Sequence, residues 1–95
     1  MKSAAQLEDL PNIGKSIAKD LRAIGIATPD QLRRRKPLAV YESLRAQMGP
    51  RHDPCVYYTL LSVRHYFDQA ESLPWWRFAK QGKAELGKRA GKLNR

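Results

Sequence analysis

A short turn, Leu10-Pro11-Asn12-Ile13-Gly14, stands directly before a Lys15-Ser16 pair. Pro11 cannot continue a helix, Asn12 is one of the few non-glycine residues that tolerate a positive φ, and Gly14 is also permissive. We therefore predict a tight hairpin with a new helix from about Lys15. The first amides of such a helix lack partners within it and lie at the positive end of the helix dipole, so they suit an anion such as phosphate.

This turn and its following helix predict a set of phosphate contacts. The main-chain amides of Gly14, Lys15 and Ser16 would bind one phosphate, and the Ser16 hydroxyl adds a donor. Basic side chains recur along the helix at i, i+4 and i+7, where they can follow a nucleic-acid backbone without reading bases. The candidate DNA-phosphate-binding residues are Asn12, Gly14, Lys15, Ser16, Lys19 and Arg22. The alternative is that the tight turn only reverses two packed helices.

The stretch LPNIGKSIAKDLRAIGI resembles the helix-hairpin-helix motif, a DNA-backbone-binding element with the pattern Pro-Gly-Ile-Gly before its second helix. Asn12 stands where that pattern has its first glycine. Asp53-Pro54-Cys55-Val56 and Trp75-Trp76 extend the similarity, over about residues 7 to 79, to a small bacterial family of pathogenicity-locus or mitomycin-resistance proteins. The helix order is also similar to the C-terminal domain of the competence regulator TfoX. The resemblance implies a helical fold, with DNA damage tolerance or competence as its setting.

The charge of the chain favours a polyanionic partner. Its 95 residues carry a net charge of +9 with a sequence pI near 10.1, which makes nucleic acid the leading candidate. The resemblance to the helix-hairpin-helix motif favours DNA over RNA. Seven basic residues and one acidic residue lie between positions 77 and 95, so most of the excess charge is near the C-terminus. A single cysteine excludes an intramolecular disulfide, and the absence of an apolar signal or membrane-spanning run predicts a cytoplasmic protein.

The apolar spacing predicts an all-α fold, a compact domain of five helices with no strand. Thr28-Pro29 and Asp53-Pro54 each combine an N-cap with a first-turn proline, and Ser3 with Gln6 is a plausible capping box. The segment 80–95 lacks apolar periodicity, so we expect residues 1–79 to form the domain and residues 80–95 a basic, flexible tail. The predicted helices cover residues 3–9, 15–24, 29–35, 37–48 and 54–69, with a last helical turn over 74–78.

The third and fourth predicted helices occupy the place of a second helix-hairpin-helix unit. This unit is degenerate, because Lys36-Pro37 supplies a proline without a Gly-x-Gly turn. The densest basic cluster lies beside it, and it is either a second strand contact or the solvated, dipole-complementing end of a helix. The residues of this possible secondary contact are Arg33, Arg34, Arg35 and Lys36.

We expect no enzyme, cofactor or metal site. Cys55 lies near a predicted helix N-terminus, which lowers a thiol pKa, but the neighbouring Asp53 offsets part of that dipole. No acyl-transfer signature surrounds the cysteine, and its expected use is as a small apolar residue beside Val56. His52, His65 and Cys55 do not have the spacing of zinc ligands.

The aromatic residues suggest a second class of function. Trp75 and Trp76 could stack on unpaired bases, but in a chain this small we expect at least one of them to be buried. Tyr57 and Tyr58 are adjacent on one helix, so one of them is expected to point away from the core. An exposed patch of these aromatics would favour a protein-interaction adaptor with no nucleic-acid role.

Overall fold

The structure is a computed structural model that describes residues 5–93, with side chains described for residues 5–88. No residue of this range belongs to a strand, which confirms the all-α fold. No helix within it is long and apolar enough to span a membrane. The α-helices are α1 (Lys15–Ala23), α2 (Pro29–Arg33), α3 (Pro37–Met48), α4 (Pro54–Gln69) and α5 (Ala79–Leu93), with short 3₁₀ turns at Leu7–Asp9, Gly49–Arg51 and Trp75–Phe78.

Helix α4 forms the centre of the molecule. Its first amides are capped by Asp53, whose carboxylate accepts a hydrogen bond from the N–H of Cys55 at 2.7 Å, and Pro54 occupies the first helical position. Residues 56–63 are buried without exception, so this half of the helix is covered on every side rather than along one stripe. The neighbours that cover it include α3, α5 and the turn Trp75–Phe78.

Helix α5 covers residues 79–93, where the sequence predicts a flexible tail over residues 80–95. It packs against α4 at Gly82, where an added Cβ would lie 2.4 Å from ring carbons of Tyr58, so only glycine allows this close approach. The hydroxyl of Tyr57 donates a hydrogen bond to Oε1 of Glu85 at 2.5 Å. Both tyrosines are therefore buried, which corrects the expectation that one of them points away from the core.

The first predicted helix, over residues 3–9, is a single 3₁₀ turn in its described part, Leu7–Asp9. The proposed cap at Ser3 lies outside the described residues. The carboxylate of Asp9 instead accepts the N–H groups of Ala5 and Gln6, each at 3.1 Å. The turn stays short because Leu10 is already extended and Pro11 follows it.

The hairpin has the predicted backbone. Asn12 takes a φ of 64°, and α1 begins at Lys15. The helix ends at Ala23, where the sequence predicts Ile24, and Gly25 follows with a φ of 91°. Apolar side chains from both arms of the hairpin are buried in the common core, among them Leu7, Leu10, Ile13, Leu21 and Ile26.

Both tryptophans are on the surface, and the expectation that one of them is buried is wrong. Trp75 is 37% exposed and Trp76 is 59% exposed. The core beneath them is already filled by the tyrosines of α4, and the ring of Trp75 stacks on Tyr58 with centroids 6.4 Å apart and planes inclined by 13°. Phe78 is half-buried against the core.

Candidate nucleic-acid interface

The N-terminus of α1 presents main-chain amides without a side-chain cap. Gly14 is the N-cap residue, and the first hydrogen bond of the helix runs from the N–H of Ala18 to the carbonyl of Gly14 at 3.0 Å. The amides of the residues between them, Lys15, Ser16 and Ile17, therefore have no partner within the helix. Uncapped amides at a helix start suit an anion, and the amides of Lys15 and Ser16 are two of the three for which the sequence analysis predicts a phosphate contact.

Gly14 leaves the approach to these amides open. Its φ of −90° and ψ of −179° are extended backbone that any residue adopts, and a Cβ built on it meets no atom of the described residues within 4 Å. Neither strain nor crowding inside the protein requires a glycine here. The missing side chain instead allows an external group to approach the backbone closely.

Arg51 is a site residue that the sequence analysis missed. Its guanidinium makes a bidentate ion pair with Asp20, at 3.1 and 3.0 Å, and donates to the hydroxyl oxygen of Ser16 at 3.1 Å. Asp20 is only 2% exposed, whereas the Arg51 side chain is 52% exposed. A half-exposed cation is thus held beside the first turn of α1, and the pairing raises the pKa of Arg51 further above its ordinary value.

The predicted cations of α1 divide into two groups. Lys15 and Lys19 are exposed. Arg22 forms a bidentate pair with Glu8, at 2.8 and 2.7 Å, and this hydrogen bonding lowers the pKa of Glu8 from 4.5 to about 2. Arg22 is therefore engaged within the protein, while Lys15 and Lys19 are available to an external anion.

Asn12 is exposed, but its side-chain amide is bonded within the fold. Its side-chain amide donates to Oγ of Ser62 at 2.9 Å and to the carbonyl of Leu73 at 2.8 Å. Ser62 is fully buried and donates in turn to the carbonyl of Thr59. The side chain of Asn12 thus fastens the hairpin to α4 and to the loop before Trp75, a contact that glycine at this position would not make.

The second basic cluster is partly neutralised. Arg33 and Arg34 both pair with Asp30, at 2.6 and 3.0 Å, and these pairs lower the pKa of Asp30. Arg35 and Lys36 are exposed. The hydrogen bonds and ion pairs of the described residues do not connect this cluster with residues 12–16.

The residues considered for catalysis or metal binding are dispersed. Cys55 is exposed, and partial desolvation together with Asp53 raises the pKa of its thiol. His52 stacks on Tyr41, while His65 lies 2.8 Å from a carboxylate oxygen of Glu71. Over the described part of the chain, no three histidine, cysteine or acidic side chains gather as metal ligands do.

Comparisons with known proteins place the chain in a family. The family model described as Pathogenicity locus (Cdd1) matches residues 1–84. The mitomycin resistance protein McrB of Streptomyces lavendulae is 40% identical over 85 residues, which cover 86% of this chain and 78% of that protein. No solved structure matches. By the extent of these two matches, the chain belongs to the pathogenicity locus family.

Proposed function

We propose that this protein binds DNA through the phosphate backbone, without sequence specificity, and that the N-terminus of α1 is the contact point. The helix-hairpin-helix interpretation of residues 7–26 and the likeness to the TfoX domain belong to this proposal. So does a role in DNA damage tolerance, which is suggested by the mitomycin resistance of the relative.

The observation that carries the proposal is the open surface at Gly14. The uncapped amides follow Gly14, where an added Cβ would meet nothing within 4 Å. Exposed Lys15 and Lys19 lie on the same helix, and Arg51, paired with Asp20, is bonded to Ser16 from the neighbouring 3₁₀ turn. Backbone amides and cations without base-reading groups are the chemistry of phosphate contact.

The number of available cations sets the expected strength of binding. Two phosphate contacts, from the exposed Lys15 and Lys19, predict a slope of about −2 in log affinity against log salt for duplex DNA. Arg51 is paired with Asp20, so it is not counted as a full contact. The affinity of such non-specific contacts is roughly 10⁻⁴ to 10⁻⁶ M at physiological salt. The basic residues of the C-terminal segment add general attraction for any polyanion.

The test is a Gly14→Asp variant, in which stability and binding should change in opposite directions. An aspartate at the N-cap accepts hydrogen bonds from the free amides. It should stabilise the helix start relative to glycine by about 0.3 kcal/mol. The same carboxylate fills the anion site and repels phosphate. We expect the midpoint of urea unfolding to hold or rise while duplex affinity, measured by fluorescence anisotropy, falls about tenfold or more.

Gln47→Glu is the matched control, because it adds the same charge at an exposed position of α3. It should reduce affinity only slightly. Equal affinities for Gly14→Asp and the unmodified chain would place DNA binding elsewhere. Equal losses of duplex affinity in Gly14→Asp and Gln47→Glu would show that only the net charge of the protein matters.

A protein-interaction adaptor is the second candidate function. The observation that favours it is the exposure of Trp75 and Trp76 on one 3₁₀ turn, because large apolar side chains on a surface mark contact sites. Absence of DNA binding by the folded chain at low salt would make this candidate the better one.

A further inference from the structure

The segment that carries the exposed tryptophans is joined to the hairpin by a hydrogen bond. The side chain of Asn12 is bonded to the carbonyl of Leu73, and Trp76 follows Leu73 by three residues, which span at most about 11 Å. Gly14 follows Asn12 by two residues, or at most about 7 Å. With the side chain and hydrogen bond included, Trp76 lies within about 30 Å of the open amides, a distance that about nine nucleotides of one strand cover at 3.4 Å each.

The two tryptophans differ in how they are held. Trp75 rests on Tyr58, so its ring has a fixed support. Trp76 is 59% exposed and makes no ring contact with the described aromatic residues. The ring of Trp75 is therefore anchored, whereas the ring of Trp76 is available for stacking.

The charges around these rings favour a nucleic-acid strand over an apolar protein partner. Arg77 follows directly, and Lys80 and Lys83 are exposed on the first turns of α5. The nearest acids along the chain have partners of their own, since Glu71 bonds to His65 and Glu85 to Tyr57. Aromatic rings bordered by cations are the arrangement that binds unpaired nucleotides, with stacking for the bases and charge for the backbone.

We propose that Trp76 stacks on an unpaired base of a DNA strand whose backbone is held at the N-terminus of α1. The protein then prefers DNA that changes from duplex to single strand over a fully paired duplex. This inference rests on the proposed backbone binding and adds the kind of DNA that is recognised.

The experiment compares three DNA ligands by fluorescence anisotropy. The first is a blunt duplex, the second carries a single-stranded overhang of about ten nucleotides, and the third carries the same overhang without its bases. The second and third have equal phosphate charge, so a difference between them measures contact with bases. We expect the overhang with bases to bind about 5-fold to about 150-fold more tightly than the abasic one, the range for one stacked base.

Tryptophan emission gives an independent readout, because the only two tryptophans of the chain are Trp75 and Trp76. The overhang with bases should quench this emission, and the abasic overhang should leave it nearly unchanged. In Trp76→Ala the two overhangs should bind equally, whereas Trp76→Phe should keep part of the difference. Circular dichroism checks that both variants are folded, which the exposure of Trp76 favours.

The outcomes separate this inference from the proposed function. Equal binding of the two overhangs by the unmodified chain, or a preference that persists in Trp76→Ala, overturns the stacking inference. If duplex binding is still lost in Gly14→Asp, the backbone site stands without it. If no DNA binds to the folded chain, both proposals fall and a protein partner becomes the occupant of the tryptophan surface.

Discussion

Helices α1, α2 and α4 begin in two different ways. At α2 the Thr28 hydroxyl accepts the N–H of Gln31 at 3.2 Å, and at α4 the Asp53 carboxylate accepts the N–H of Cys55. Proline at the first helical position removes one further donor in each. At α1 the cap is Gly14, which offers no side chain.

The difference shows which helix start has main-chain amides that an external ligand could bind. The caps of α2 and α4 serve the fold, because they satisfy amides that otherwise have no partner. Helix α3 also lacks a side-chain cap, but Pro37 removes an amide there. Only at α1, among the described helix starts, do uncapped amides coincide with an open glycine and with Arg51 held beside the first turn.

Beyond Gly14→Asp, removal of Arg51 should have the largest effect at the uncapped start of α1. Arg51→Ala takes away a cation beside the amides and leaves the buried carboxylate of Asp20 without its partner. We expect duplex affinity to fall about tenfold and the melting temperature to fall as well. Anisotropy and thermal unfolding measure the two losses.

A double variant, Arg51→Ala with Asp20→Ala, separates these losses. It removes the isolated buried charge, so stability should recover in part while DNA affinity stays low. Recovery of both quantities would mean that Arg51 acts only by holding the fold.

Removal of the cap of α4 should affect stability alone. Asp53→Ala leaves the first amides of α4 without an acceptor and should cost about 1 kcal/mol of the free energy of unfolding, measured by urea denaturation. Its duplex affinity should equal that of the unmodified chain. A change in affinity as large as that of Gly14→Asp would contradict the distinction between capped and open helix starts.

The smallest effect should come from releasing paired arginines. Glu8→Gln frees Arg22 near the hairpin, and Asp30→Asn frees Arg33 and Arg34 at the second cluster. If α1 is the contact, Glu8→Gln should raise duplex affinity a few-fold and steepen the salt slope by about 1. Asp30→Asn makes the same change in charge and should raise duplex affinity less. A larger rise in Asp30→Asn than in Glu8→Gln would indicate that DNA contacts the cluster at α2 instead.

Acid unfolding checks that the Glu8 pair exists in solution. Because pairing lowers the pKa of Glu8 from 4.5 to about 2, its contribution to stability is present above pH 4.5 and is lost as the pH falls toward 2. The Glu8→Gln variant should lack this part of the pH dependence. An unchanged acid transition would show that the pair is too solvated to matter.

Local sequence signals predicted helices α3 and α4 to the residue. Each begins at a proline that cannot lie deeper in a helix, and each has an apolar stripe at helical spacing. Gly49 ends α3 with a φ of 56°, a conformation that glycine adopts without strain. The signals are strong because each residue acts on its own few neighbours.

Long-range contacts explain what the sequence did not reveal. Helix α5 has few apolar residues, of which Ala79 and Leu86 pack against the core. It is also held where Gly82 meets Tyr58 and Glu85 meets Tyr57. In the candidate site, the local sequence predicted the uncapped amides of α1 and the exposure of Lys15. The role of Arg51 could not be predicted in this way, because its partner Asp20 is 31 residues away. The only signal for a distant cation was an aspartate within an amphipathic helix.

The position of Gly82 in the C-terminal helix cannot accept a side chain without a shift of the helix. Any side chain at this position would push α5 away from the tyrosine rings. The displacement would also strain the hydrogen bond between Glu85 and Tyr57. The absence of a side chain at one position therefore sets how closely the C-terminal helix docks on the centre of the molecule.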